Sequence, residues 1–429
     1  MIHKDVCSLG LAGFALTVAA SASMAAEPGP LEPLSREALV GFVTGAEEDE
    51  SAVELTLHVD QNHAQADDGN DGTAENPFKT FGQGLRAAGV EIREGTPVKL
   101  LVHSGVYREG GIVFNGRDLG GAAHETLLVI EGADATPGAV RITGSDEYPL
   151  QDWRAVRDAQ GKLRYYQADW PHEFGNEPGW FGSANMPRVL GHRSEMMFLD
   201  GQPLRQVLLE EYDYTPVAKG YQGRGQHEFR GTRDPAEVIE PGTFGVEERR
   251  GSGKRIVFLP PAGVDPAEAL IEVAVRRQLL EIEQKSNLVL RNLTFDHAAT
   301  PPLNRQARDG AVRLFGLHRG KGGPRHDMSN VLIDNCDFSW NNGRGLILHV
   351  VREITVRNTR MNYNGTAGAN VNRLYNVIWD QTETSFNNWR GHLGGLHKWS
   401  MSGVKFTFTH RGVFRHHRAL GNAARGFWV

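Results

Sequence analysis

His349, His397 and Lys398 are the residues of this 429-residue chain best placed to move a proton. Arg313, Asn370, Asn372, Trp389 and Arg390 are those best placed to hold a polar ligand beside them. The grouping follows from alternation, because successive side chains of a strand point to opposite faces. With Leu346 and Leu348 inward, Ile347 and His349 face out. One repeat on, Ala369 and Val371 go in, and Asn370 and Asn372 go out. Arg313 joins them if Val312 and Leu314 go in. Trp389 and Arg390 stand at the next corner, with His397 and Lys398 in the loop that follows.

Two chemistries suit such a stripe. Removing a proton α to a carboxyl group needs a base and a cation to neutralise the carboxylate. Lys398, His397 or His349 is the candidate base, lowered in pKa by surrounding positive charge. Arg390 or Arg411 is the candidate cation, and Trp389 could stack on a ring. Hydrolysis of a glycosidic bond needs two carboxyl groups about 5–9.5 Å apart. Asp296, Asp327, Asp334, Asp337, Asp380 and Glu383 are available for that role. Asp296-His297 and His326-Asp327 open loops and are the better placed of these. The ordinary alternative is a solvated outer face, which must be polar in any case.

These residues need a scaffold that repeats, and the chain supplies one. Asn330-Val331-Leu332-Ile333-Asp334-Asn335 aligns with Glu353–Asn358 and again with Asn376–Gln381, each 23 residues on. An earlier copy, Asn287–Asn292, lies 43 residues before the first. Asn341, Asn364 and Asn387 keep the 23-residue period, as do Gly345, Gly368 and Gly391. A repeat in the low twenties, with short apolar runs broken by Asn and Gly, is too short for helix pairs and suits three strands and three turns per coil. Leu288, Leu290, Val331, Ile333, Ile354, Val356 and Val377 are expected inward, and Asn292, Asn335 and Asn358 are expected to form an amide ladder.

The asparagine-punctuated coils resemble the pectate-lyase-like superfamily of right-handed parallel β-helices. The entry segment Asp71-Gly72-Thr73 and Asn76–Phe81 is similar to the N-terminal strand, loop and capping helix of exported bacterial members. The resemblance implies an all-β solenoid of about 23-residue coils with an inserted β-rich lobe. It also implies an exported carbohydrate-active protein that acts by elimination or glycosidic hydrolysis. A non-catalytic glycan-binding or cell-surface protein is the alternative, since the fold hosts both. The chain stops at Gly426-Phe427-Trp428-Val429 inside an expected strand, so it is expected to be truncated relative to that family.

The rest of the chain divides by texture. Residues 1–25 read as a signal peptide, with an apolar run of 12 from Leu9 to Ala20 and Ser23-Met24-Ala25 before cleavage. A secreted or periplasmic protein follows, and no run is long enough for a membrane helix. Residues 26–54 read as a loose leader. Residues 55–146 read as the first strand, a capping helix near Gly82–Ala88 and the first coils. The aromatic-rich stretch 147–285, with an Asp200-Gly201 hairpin, reads as the lobe, and 286–429 as the main coils.

Composition narrows the partner. From Thr384 to Val429 there is no Asp or Glu, while seven Lys and Arg give +7. The whole chain is −6, so residues 1–383 carry −13. A basic end on an exported acidic chain points to an anionic or sulfated polysaccharide, and export argues against nucleic acid. No cofactor is expected. Calcium at the Asp67–Asp71 loop is the weak exception, because that loop lacks the EF-hand spacing. Only Cys336 lies outside the first 25 residues, which excludes a disulfide framework.

Overall fold

The structure is a computed structural model, and it describes residues 50–120, 123–172, 174, 193–216, 225–247, 254–301, 310–316, 328–390 and 401–429. The expected signal peptide and nearly all of the leader lie outside these residues.

The six-residue copies seen in the sequence are the strands of a β-helix. Each begins and ends on a residue with positive φ: Asn287 and Asn292 (50° and 58°), Asn330 and Asn335 (56° and 49°), Glu353 and Asn358 (45° and 50°), Asn376 and Gln381 (55° and 48°). Asparagine tolerates this left-handed conformation better than other non-glycine residues, which explains its recurrence at the corners. Between the corners, Leu288, Leu290, Val331, Ile333, Ile354, Val356 and Val377 point into one continuous core. Burying such side chains stabilises the fold by roughly 1.5–3 kcal/mol each.

Three parallel sheets wrap that core. The back sheet runs from Leu55–Val59 through Val98–Val102, Leu128–Gly132, Leu288–Arg291 and Met328–Asp334 to His410–Arg415. The front sheet stacks Ile112–Asn115, Leu280–Glu283, Gly310–Phe315, Ser402–Thr407 and Arg425–Trp428. The 14-residue strands Arg344–Arg357 and Ala367–Asp380 bend at a corner and serve both sheets. The third sheet is Gly105–Tyr107, Val140–Thr143 and Thr294–Asp296, continued by single rungs at Asp337, Arg360, Glu383 and Arg418.

Asparagines lock the coils in register at two places. Asn335 Nδ2 donates to Asn292 Oδ1 at 2.8 Å, but Asn358 turns instead to Asp334 Oδ1 at 2.9 Å. The expected ladder therefore breaks after two rungs, because a carboxylate is the stronger acceptor. The unbroken ladder is the buried one. Asn341 Nδ2 donates to Asn364 Oδ1 (3.2 Å), Asn364 Nδ2 to Asn387 Oδ1 (3.1 Å), and Asn387 N to Asn422 Oδ1 (2.9 Å).

Gly345 and Gly368 sit where backbone passes close: a Cβ on them would meet the Phe338 and Met361 carbonyl oxygens at 2.2 and 2.5 Å. The front strand after Gly368 begins at Ser402, so Gly403 stands beside it. Gly391 lies outside the described residues.

The capping helix runs Phe81–Arg93, longer than the sequence suggests, and is capped by Thr80 Oγ1 accepting from Gln83 N. Asp68 in turn accepts from Thr80 N and Thr80 Oγ1, both at 2.8 Å. Asp67 accepts from Gly69 N and Asp71 from Thr73 N. The carboxylates of this loop thus serve turn and cap geometry. Among the described residues no group of three or more His, Cys, Asp or Glu could hold a metal ion.

The lobe leaves the third sheet after Thr143 and returns to the front sheet at Leu280, so the coils resume six residues earlier than the sequence division at 286. It holds a four-stranded sheet (Ser145–Glu147, Met197–Leu199, Gln202–Pro203, Ile271–Ala274) and a five-stranded sheet that includes Leu163–Asp169 and Arg255–Leu259. Its core centres on Trp153, Trp170, Phe198, Phe244 and Phe258 and is joined by Ala299, Trp340 and Trp389 of the coils. Leu199 pairs with Gln202 across Asp200 and Gly201, both with positive φ, as an Asp-Gly hairpin requires.

Candidate functional site

The outward residues of the back and front sheets differ in kind. On the back sheet Val129, Val289 and Leu332 face out and are covered by Ala52 and Val53. On the front sheet the outward positions form two columns in register. One reads Glu281, Arg313, Ile347, Asn370, Lys405, Trp428. The other reads Glu283, Phe315, His349, Asn372, Thr407. Stacked coils lie about 4.8 Å apart, so neighbouring rungs are within one sugar or peptide unit of each other.

Several of the predicted residues meet here. Arg313 Nη1 donates to Glu281 Oε2 at 2.6 Å, and its guanidinium lies 5.8 Å from the Phe315 ring. His349 stacks on Phe315 with ring centres 4.6 Å apart and planes 7° from parallel. Asn372 is one rung from His349, and Asn370 lies between Ile347 and Lys405. Arg313 and His349 are in different columns, so they flank each other diagonally.

Arg390 and Trp389 lie elsewhere. Arg390 donates to Asn342 Oδ1, Gln206 Oε1 and, at 3.4 Å, the Arg193 carbonyl. Burial at this seam pushes its pKa down to about 10. These contacts tie the coils to the lobe and direct the guanidinium away from the stripe. Trp389 packs on the lobe core, 5.8 Å from the Trp340 ring. His397, Lys398, His326 and Asp327 lie outside the described residues.

Asp296 and His297 belong to a second constellation at the same seam. Arg141 Nε donates to Asp296 Oδ2 at 2.6 Å, and Arg108 Nη1 donates to Glu272 Oε1 at 2.8 Å. Ser145 Oγ donates to Glu272 Oε1 at 3.0 Å and lies 3.2 Å from His297 Nδ1. Burial would raise Glu272, but Arg141, His297, Arg108 and Ser145 outweigh it and hold the carboxyl at about 2. Burial pushes His297 down to about 4, so the ring is neutral and lies flat on Phe198 at 3.6 Å. Glu272 is thus ionised and His297 neutral near neutral pH, and the cluster links the coils to the lobe.

Three contributors were not singled out in the sequence. Glu281 and Glu283 precede position 286, where the asparagine-flanked repeat starts, although Leu280-Glu281-Ile282-Glu283 alternates correctly. Lys405 is hidden by the insertion after Gly391. Aligning Ser402-Gly403-Val404-Lys405 with Ala367-Gly368-Ala369-Asn370 recovers it. Burial, then Arg344 and Arg425, lowers the Lys405 pKa to about 8. Its Nζ and the Arg425 guanidinium lie 4.1 and 4.2 Å from the same Trp428 ring.

The basic C-terminal stretch is partly neutralised by the coil before it. Arg415 pairs with Asp380 at 2.7 Å and His416 with the same carboxylate at 2.9 Å, while Arg418 is 4.0 Å from Glu383. These pairs are on the back and third sheets. In the front-sheet register the rung beside Lys405 is Asn370.

A family described as right handed beta helix region matches residues 325–429. Among solved structures, one described as XylC in complex with xylose shares the fold at a TM-score of 0.59 and 15% identity. The match covers 87% of this chain and 60% of that one, so the chain spans less than two thirds of its length. A glycoside hydrolase (TM-score 0.46, 12% identity, 85% and 84% covered) and the GH136 lacto-N-biosidase from Eubacterium ramulus (0.39, 12%, 84% and 51%) are more distant likenesses. No curated protein matches by sequence. The topology and the first likeness together make this chain a right-handed parallel β-helix.

Proposed function

We propose that this protein is an exported, carbohydrate-active β-helix that lays an acidic or sulfated polysaccharide along its front sheet and cleaves its uronate linkages by elimination. The carrying observation is the register of Glu281, Arg313, Asn370 and Lys405 beside Phe315, His349 and Asn372 on one face. The fold shared with a structure described with bound xylose supports a sugar as the ligand. Signal-like residues 1–25 support secretion or a periplasmic location.

In this reading Lys405 is the base, because an amine lowered to about 8 is partly neutral at mildly alkaline pH. It takes the proton α to a uronate carboxyl group whose charge Arg425 neutralises. The C–H electrons form the new double bond as the glycosidic C–O bond breaks, and the proton passes to the departing oxygen. Arg313, about three rungs or ~14 Å away, holds a different unit of the chain. One specific observation favours hydrolysis as a second reading. Glu281 and Glu283 both face out from one strand, two residues or ~6.6 Å apart, within the span a carboxyl pair needs.

The test is product chemistry on polygalacturonate, alginate and a sulfated galactan. Elimination gives the ultraviolet absorbance of an unsaturated uronate, and Lys405→Met abolishes it. Reducing ends without that absorbance, lost in Glu283→Gln, select hydrolysis. Binding with neither product leaves a glycan-binding protein.

A further inference from the structure

The front sheet continues one rung past Glu281 to Val113, in the strand Ile112–Asn115 that ends the sheet. Between that strand and the capping helix lies a cleft of about 520 Å³. Ile112, Val113 and Phe114 line it from the strand and Leu85 from the helix. Val113 is 61% exposed, although it stands directly beside the Glu281 rung. The cleft is thus a continuation of the face already described.

Its charged rim is asymmetric. Glu109 is occupied internally, since its two carboxylate oxygens accept from Phe81 N at 2.7 Å and Gly82 N at 2.8 Å at the start of the helix. The helix end and this carboxylate satisfy each other. Arg276 on the opposite wall is joined to Asp146 at 2.7 Å. Arg86 is exposed and held in orientation by Gln83 Oε1, which accepts from its Nε at 3.0 Å and Nη2 at 2.9 Å. An oriented guanidinium above an apolar floor is suited to a carboxylate or sulfate on a sugar ring.

We infer that this cleft is the subsite for the terminal unit of an acidic oligosaccharide, with the apolar face of the ring on Val113 and its anionic group at Arg86. The inference rests on the front-face reading above. A glycan running along the front sheet toward the N-terminal end meets the capping helix one rung beyond Glu281, so the chain must end there. The protein would then recognise a chain end, and its products would be short and of defined length.

The experiment measures binding of six-unit oligosaccharides of galacturonate, of mannuronate and of sulfated galactose to the full chain by calorimetry. The variants are Arg86→Ala, Val113→Asp and Arg313→Ala, with thermal unfolding as the check on folding. Arg86 and Val113 are exposed, so both cleft variants keep the fold. The expected result is that each of the three variants weakens the bound probe about tenfold. If only Arg313→Ala weakens it, the cleft proposal is overturned and the front-face reading stands. If only the cleft variants weaken it, the cleft stands as an acidic-sugar site and the front-face reading falls. If the wild type binds none of the three probes, both are overturned.

Discussion

Two regions of this molecule are built from the same parts and come to opposite ends. At the seam, His297 lies flat on Phe198, and Arg141 and Arg108 meet Asp296 and Glu272. On the front sheet, His349 lies flat on Phe315, and Arg313 meets Glu281. The seam is closed over, with the Glu272 side chain 2% and the His297 side chain 4% exposed. The Arg313 and Glu281 side chains each keep 13% of their surface. The same residue types thus sit in two settings. At the seam the Glu272 carboxylate is sealed between coils and lobe, while Arg108 and Arg141 keep 20% and 17% of their side-chain surface. On the front sheet both partners of the ion pair keep the same partial exposure.

The largest effect that tests this contrast is loss of Glu272. Glu272→Ala removes the acceptor shared by Arg108, Arg141 and Ser145, although Glu147 and Asp296 still pair the two guanidinium groups, and the lost charge-assisted hydrogen bonds are expected to cost about 3–5 kcal/mol. Urea unfolding measures it, and a cost below ~1 kcal/mol would mean that the seam is wetter than its geometry implies.

The pH dependence comes next. His297 is lowered to about 4 in the fold from 6.5, so the unfolded chain binds more protons between those values. Stability therefore rises with pH across that window, and is lost as pH falls from about 6.5 to 4. The expected loss is on the order of 3 kcal/mol. Glu272, held at about 2, adds a further loss as pH falls below 4.5. Unfolding curves at pH 7, 5.5 and 4.5 follow the first window, and His297→Phe should remove its share of the slope, leaving that of His417, which burial also lowers to about 4.

A smaller effect sits between the two regions. Asn364→Ala cuts the buried ladder between Asn341 and Asn387, leaving the Asn341 amide N–H without its acceptor, at a cost of about 1–3 kcal/mol. Hydrogen exchange on both sides of the cut would show whether the coils unfold as one unit or two.

The smallest stability effect belongs to the front face. Arg313→Ala should cost about 1 kcal/mol, because it breaks a single ion pair and strands no group with several partners as Glu272 does. The same change should weaken an acidic glycan about tenfold. A variant that lost stability without losing binding would move Arg313 into the class of Glu272 and erase the contrast.

The coil was legible because its signal is periodic and local. The paired corner residues from Asn287 to Gln381 repeat at the two ends of each back-sheet strand, and alternation alone assigned Leu346, Leu348, Ile347 and His349 to their faces. The breaks in legibility have identifiable causes. An insertion after Gly391 moved the next front strand to Ser402, so Lys405 fell out of the 23-residue count. The asparagine-flanked repeat starts only after the lobe has returned to the front sheet, so it does not mark Glu281 and Glu283.

The sequence by itself determined the repeating corner and the inward set, since φ preference and apolar spacing act within a few residues. Tertiary structure alone decided which polar residues would be buried. Arg108 and Glu272 are 164 residues apart, and Arg390 and Gln206 are 184 apart. No short-range pattern links such pairs. Only the return of the lobe onto the coils brings these partners together, and the loss of water around the Glu272 carboxylate strengthens the pairing it makes there.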